Sequence, residues 1–151
     1  MADNATNIFE YQILSMIFNA TSVPGLADND QSSPLTSLSV QLHTADPTDT
    51  GDLTSNEATY TGYARVGVER TSSGWTVAGS SGVTASVRPA TNITFPQCSG
   101  GSNTITHFSI GNSTVAGSTG TMFIYGTVTP NISVSAGVTP RLTTATEITL
   151  T

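Results

Sequence analysis

The chain has 151 residues and a net charge of −6, and only 9% of its residues are charged, against about 25% in an ordinary soluble domain. It has no lysine, and its four cations are Arg65, Arg70, Arg88 and Arg141. That excludes the clustered positive charge that nucleic acid or an anionic membrane surface would need. A single cysteine, Cys98, excludes an intramolecular disulfide framework and any multi-cysteine metal site. The length suits one domain, residues 1–151.

Thr, Ser, Gly and Asn stand where charge is missing. Strand faces built from Thr and Ser lose little rotamer freedom on ordering, and a neighbour can cover them without desolvating ions. Such a composition suits a structural protein in an assembly. No run reaches the roughly 18 apolar residues of a membrane span. Met1-Ala2-Asp3-Asn4 has no basic region, so the start is not read as a secretory signal.

One helix is expected, over residues 8–18. Asn7 stands at the N-cap position, with Glu10 three residues on as the acid of a capping box. Tyr11, Leu14 and Phe18 form a ridge flanked by Ile13 and Ile17, while Phe9 and Met16 fall on the other side. A helix encircled by apolar residues is buried on most sides. It plugs the end of a β domain or is gripped by a partner. Phe9, Tyr11, Ile13, Leu14, Met16, Ile17 and Phe18 are therefore the candidate interface, with Tyr11, Leu14, Ile17 and Phe18 the expected buried set. Val23-Pro24-Gly25 is the expected stop, and residues 19–36 read as a linker.

The remainder, 37–151, reads as β. Leu38, Val40 and Leu42 alternate with Ser39, Gln41 and His43, the pattern of a half-buried strand. Asp46-Pro47-Thr48-Asp49-Thr50-Gly51 is a turn cluster. Residues 63–70 alternate again, with Arg65 on the polar side. Trp75-Thr76-Val77, 83–87, Ile93–Phe95, 104–110, 121–129, Ile132/Val134 and 147–150 supply further strands. About eight to ten short strands divided by Gly, Pro, Ser and Asn turns predict a mainly β fold, an antiparallel β-sandwich (jelly-roll-like) with one N-terminal helix.

Leu42-His43-Thr44-Ala45-Asp46-Pro47-Thr48-Asp49-Thr50-Gly51, then Gly62-Tyr63-Ala64-Arg65-Val66, Ile93-Thr94-Phe95-Pro96, Thr106-His107-Phe108-Ser109-Ile110-Gly111 and Val134-Ser135-Ala136-Gly137-Val138-Thr139-Pro140 follow one another in order. Over residues 7–151 the chain resembles small virion proteins of tailed bacteriophages, often labelled tail-fibre proteins. Some of these are capsid cement (decoration) proteins with a jelly-roll-like fold. The resemblance implies a non-enzymatic structural protein on the outer surface of the capsid, partnered by the major capsid protein and by copies of itself as a dimer or trimer. It implies no cofactor, no nucleic acid and no membrane. The alternative is a tail-associated receptor- or carbohydrate-binding module, with loops 79–89 or 99–103 carrying specificity. The stretch 79–89 looks inserted relative to the family pattern.

The chemistry-bearing residues fit that picture. His43 and His107 sit in expected strands where neighbours can satisfy them, and no Gly-x-Ser-x-Gly elbow presents a nucleophile. Asp46, Asp49 and Asp52 lack the spacing of a calcium loop. Ser99-Gly100-Gly101-Ser102 lacks the lysine of a phosphate loop. Trp75 reads as a core or edge plug. Asp46-Pro47 sets a turn, Gly62 supplies a backbone conformation closed to other residues, and Arg65 is expected to pair with Asp46 or Asp49.

Overall fold

Helix α1 spans Asn7–Asn19, one residue longer at each end than expected, in a computed structural model that describes residues 7–22, 34–80 and 83–149. Asn7 therefore stands inside the first turn and not at the cap. The helix stops well before Val23-Pro24-Gly25, which lies outside the described residues. Ala20 takes a left-handed conformation, φ 51°, and the Thr21 amide donates to the Ser15 carbonyl at 3.1 Å. The open carbonyls of the last turn go to a distant side chain. Arg70 donates from Nε to the Ile17 carbonyl at 2.6 Å and from Nη2 to that of Met16 at 2.7 Å. A third donation, from Nη1, reaches the Leu35 carbonyl at 2.8 Å. A cation at this end also complements the helix dipole.

Among the described residues nine strands follow: β1 (Ser37–His43), β2 (Val66–Glu69), β3 (Trp75–Ser80), β4 (Val83–Pro89), β5 (Ile93–Thr94), β6 (Ser102–Gly111), β7 (Met122–Ser135), β8 (Arg141–Leu142) and β9 (Ile148–Thr149). The sheet orders are β2-β1-β6-β7, β3-β4-β9 and β5-β8. The pairs whose register is defined run antiparallel. The fold is mainly β, in antiparallel sheets with one helix among the described residues, as a β-sandwich with an N-terminal helix requires. The expected strands at Ile132/Val134 and 121–129 are one strand, β7. The chain divides into two compact units interleaved in sequence, and most of the expected linker, residues 23–33, lies outside the described residues.

Unit 1 comprises Met1–Thr36, Glu69–Asn92 and Leu142–Thr151. Its helix packs on β3 and β4. Leu14 and Phe18 are fully buried, as are Trp75, Ala85 and Val87. The Phe18 ring meets Trp75 edge-on, 4.8 Å between centroids at 68°, so Trp75 is a core plug. Of the stretch 79–89, the described residues 79–80 and 83–89 belong to the antiparallel pair β3 and β4, in register at Val77↔Val87. Gly79 sits at the pair's bulge with φ 146°. A Cβ there would lie 3.0 Å from the Ala85 Cα and 3.3 Å from the Tyr11 Cβ, so glycine is what lets helix and sheet approach.

Unit 2 comprises Ser37–Val68 and Ile93–Arg141. Val40↔Ile110 and Leu42↔Phe108 pair across β1 and β6, and all four are buried. The long β1–β2 connection folds back on β1, with the Thr44 amide donating to Asn56 O and the Ala58 amide to Leu42 O, both at 2.8 Å. Tyr60 and Tyr63 in that connection meet edge-on, and Tyr63 stacks on Phe95. Gly62 has φ 96°, the conformation its sequence position predicts.

Candidate functional site

Strand β1 departs from the half-buried pattern. Ser39, Gln41 and His43 are as inaccessible as Val40 and Leu42 between them, all at 0–1% exposure. Their polar atoms form a chain through β6. His43 Nδ1 lies 2.8 Å from the Ser55 carbonyl and Nε2 lies 2.7 Å from Ser109 Oγ. Ser109 Oγ reaches the Gln41 amide at 3.0 Å, and that amide reaches Ser39 Oγ at 2.5 Å.

Donor accounting fixes the direction of this chain. A carbonyl only accepts, so Nδ1 carries the imidazole proton. Burial pushes His43 below the ordinary histidine range, so the ring is neutral and Nε2 must accept from Ser109. The Ser109 hydroxyl is shared between Nε2 and Gln41 Oε1, and the Gln41 NH2 group donates to Ser39 Oγ.

Ser109 and His43 thus have the contact of a nucleophile and its base. The third partner is a backbone carbonyl instead of a carboxylate, and both residues are sealed at 0% exposure. No substrate reaches them in this conformation, and the network's work is to hold residue 55 onto the sheet. His107 is the cross-strand partner of His43, with Nδ1 2.8 Å from Thr106 Oγ1.

Arg65 does not pair with Asp46 or Asp49. It sits in the irregular segment before β2 and pairs with Glu57, Nε to Oε1 at 2.6 Å and Nη2 to Oε2 at 2.9 Å. The same guanidinium donates to the carbonyls of Ser113, Ser118 and Leu53 at 3.0, 2.9 and 3.3 Å. Glu57 Oε2 also accepts from the Gly117 amide at 3.2 Å. The shorter acids have other partners. Asp46 accepts from the Thr48 amide and Asp52 from Thr54, and the Thr54 bonds hold Asp52 below the usual carboxylate range. Asp49 accepts from the Tyr125 hydroxyl at 2.6 Å, which pushes that phenol up to about 12. The described residues contain no group of three metal-ligating side chains.

What this scaffold fixes is the β6–β7 hairpin, whose loop runs through residues 112–121. Val115 on the loop is 65% exposed, and Phe123 just past it is 41% exposed. From Phe108 to Pro140 no side chain is acidic or basic. A neutral, partly apolar surface on a rigid hairpin is suited to protein contact.

The helix residues divide. Leu14 and Phe18 are buried inside unit 1, and Tyr11, Ile13, Met16 and Ile17 are half-buried. The Phe9 side chain lies outside the described residues. Polar Glu10 and Ser15 are buried while Ile8 is 48% exposed, so the burial stripe is displaced from the one the apolar pattern predicts. Among the loops expected to carry specificity, Ser102 and Asn103 line a groove of about 590 Å³ with Thr44, Thr104, Ser133 and Ser135.

An antiparallel β fold with a sealed polar core and a neutral hairpin defines a structural protein more readily than a catalyst. The chain belongs to the podophage GP4 fiber I protein gp80 family, whose sequence profile matches residues 4–151. It is a structural protein of a bacteriophage virion. No curated protein matches the chain.

Proposed function

We propose that this protein is a capsid cement protein that binds the outer surface of a phage shell and ties major capsid subunits together, without catalysing a reaction. The observation that carries this reading is the uncharged run from Phe108 to Pro140 on a hairpin held by Arg65 and Glu57. Neutral hydrogen bonds and apolar contacts summed over many copies resist salt and mechanical load. The half-buried helix residues Tyr11, Ile13, Met16 and Ile17 are the second proposed contact. The test is cryo-electron microscopy of purified virions with a quantified copy number. Density over the shell, at a copy number scaling with the major capsid protein, is the expected result. Density confined to the tail would overturn it.

A second reading, a tail-associated receptor- or carbohydrate-binding module, draws on the hydroxyl-lined groove that includes Ser102 and Asn103. Glycan-array binding abolished by Asn103→Ala would favour it.

A further inference from the structure

We infer that the outer edge of β7, over residues 122–127, pairs antiparallel with the same edge of a second copy of this chain, so that two four-stranded sheets join into one. Among the described residues β7 ends its sheet, with β6 as its single neighbour. An open edge is a template for another strand, and proteins guard it with charge, proline or a bulge. Here the guard covers one half. Register jumps from Ile105↔Ile132 to His107↔Thr127, leaving residues 128–131 bulged opposite Thr106, and Pro130 within the bulge has no amide to offer. Residues 122–127, Met-Phe-Ile-Tyr-Gly-Thr, have no such guard and no charge, and Phe123 stands exposed among them.

Charge selects the second copy as occupant. Every acid and arginine of this net-negative chain lies outside 108–140, so this strand is where two copies meet without opposing like charges. Parity selects the register. A two-fold axis through an antiparallel pair keeps each sheet face on its own side, so a residue pairs with itself or with one an even number away. Centring on Tyr125 would face two Tyr125–Asp49 pairs and their carboxylates. Centring on Ile124 avoids this, pairs Phe123 with the partner's Tyr125, and sets each hairpin loop beside the partner's 128–131 bulge. The inference holds for either virion location.

The test is the mass of the purified full chain by sedimentation velocity and light scattering, on wild type, Phe123→Lys and Thr127→Lys. Lysine at an open edge blocks strand addition, and Thr127 is exposed, so the second variant covers a folding failure of the first. The expected result is a wild-type dimer and a halved mass in both variants, with far-UV circular dichroism unchanged. Ile124→Cys should cross-link into dimers under mild oxidation far more than Thr127→Cys. A wild-type monomer or trimer, a dimer that survives both lysines, or an edge that binds only another virion protein would overturn the inference.

Discussion

Arg65 and Glu57 are joined Nε to Oε1 at 2.6 Å, with side chains only 0% and 8% exposed. Three backbone carbonyls complete the arginine's coordination. Removing one partner strands a buried charge, which costs about 3–5 kcal/mol. Arg65→Ala and Glu57→Ala should each lose stability on that scale in chemical denaturation, and the double variant should lose less than the sum. In both single variants the loop 113–118 should become a site of early proteolysis. Unchanged denaturation midpoints would show that water reaches the pair.

His43 makes stability depend on pH. Burial lowers its folded-state pKa below the ordinary 6.5, opposed by the Ser55 carbonyl and Glu57 and assisted by His107 and Arg65. The unfolded chain therefore takes up the proton first. The contribution is complete above pH 6.5 and is lost as pH falls toward the folded-state value, with a slope of at most about 1.4 kcal/mol per pH unit. Denaturation midpoints measured from pH 7.5 down to 5 should fall for wild type and fall less for His43→Gln. Parallel curves would remove His43 as the cause.

Helix substitutions separate burial from attachment. Leu14→Ala should cost about 2–5 kcal/mol, and Leu14→Asp should unfold unit 1, because Leu14 is at 0% exposure. Ile13→Asp, at a half-buried position, should leave the fold intact and weaken attachment to shells. Co-sedimentation of folded variants with capsids reads this directly, and normal binding by folded Ile13→Asp would discard the helix as a contact.

Retention on shells should survive a wash of about 1 M NaCl, where the screening length falls to about 3 Å, and should fail with denaturant or heat. Sedimenting shells after each wash and assaying the supernatant measures it. Release by salt alone would mean that the arginines and acids carry the contact.

The strands were legible in the sequence because alternation of side chains follows the pleat. Leu38-Ser39-Val40-Gln41-Leu42-His43 predicts β1 whatever covers its second face. For the same reason alternation could not reveal that the polar face meets Ser55 and Ser109 in place of water. The partner of Arg65 was out of reach because a loop conformation decides it. Asp46 and Asp52 are consumed in their own turns, and longer Glu57 is carried inward by the connection that folds back on β1. The helix was legible from its period. Its burial stripe was not, since apolar residues on every side leave the packing surface undetermined. Arg70 gave no signal at all, because capping across such a sequence distance leaves no local pattern.

That Arg70 cap has a consequence for the order in which structure forms. A thirteen-residue helix is marginal by itself in water, and this one leans on a guanidinium whose carbonyl partners lie 53 and 54 positions away in the chain. Its sheet is completed by β9, which pairs with β4 at Ser86↔Thr149, from a segment beyond the whole of unit 2. Helix α1 should therefore form late, by long-range closure, and not as a nucleus. Its amides should exchange with solvent deuterium only when unit 1 opens as a whole.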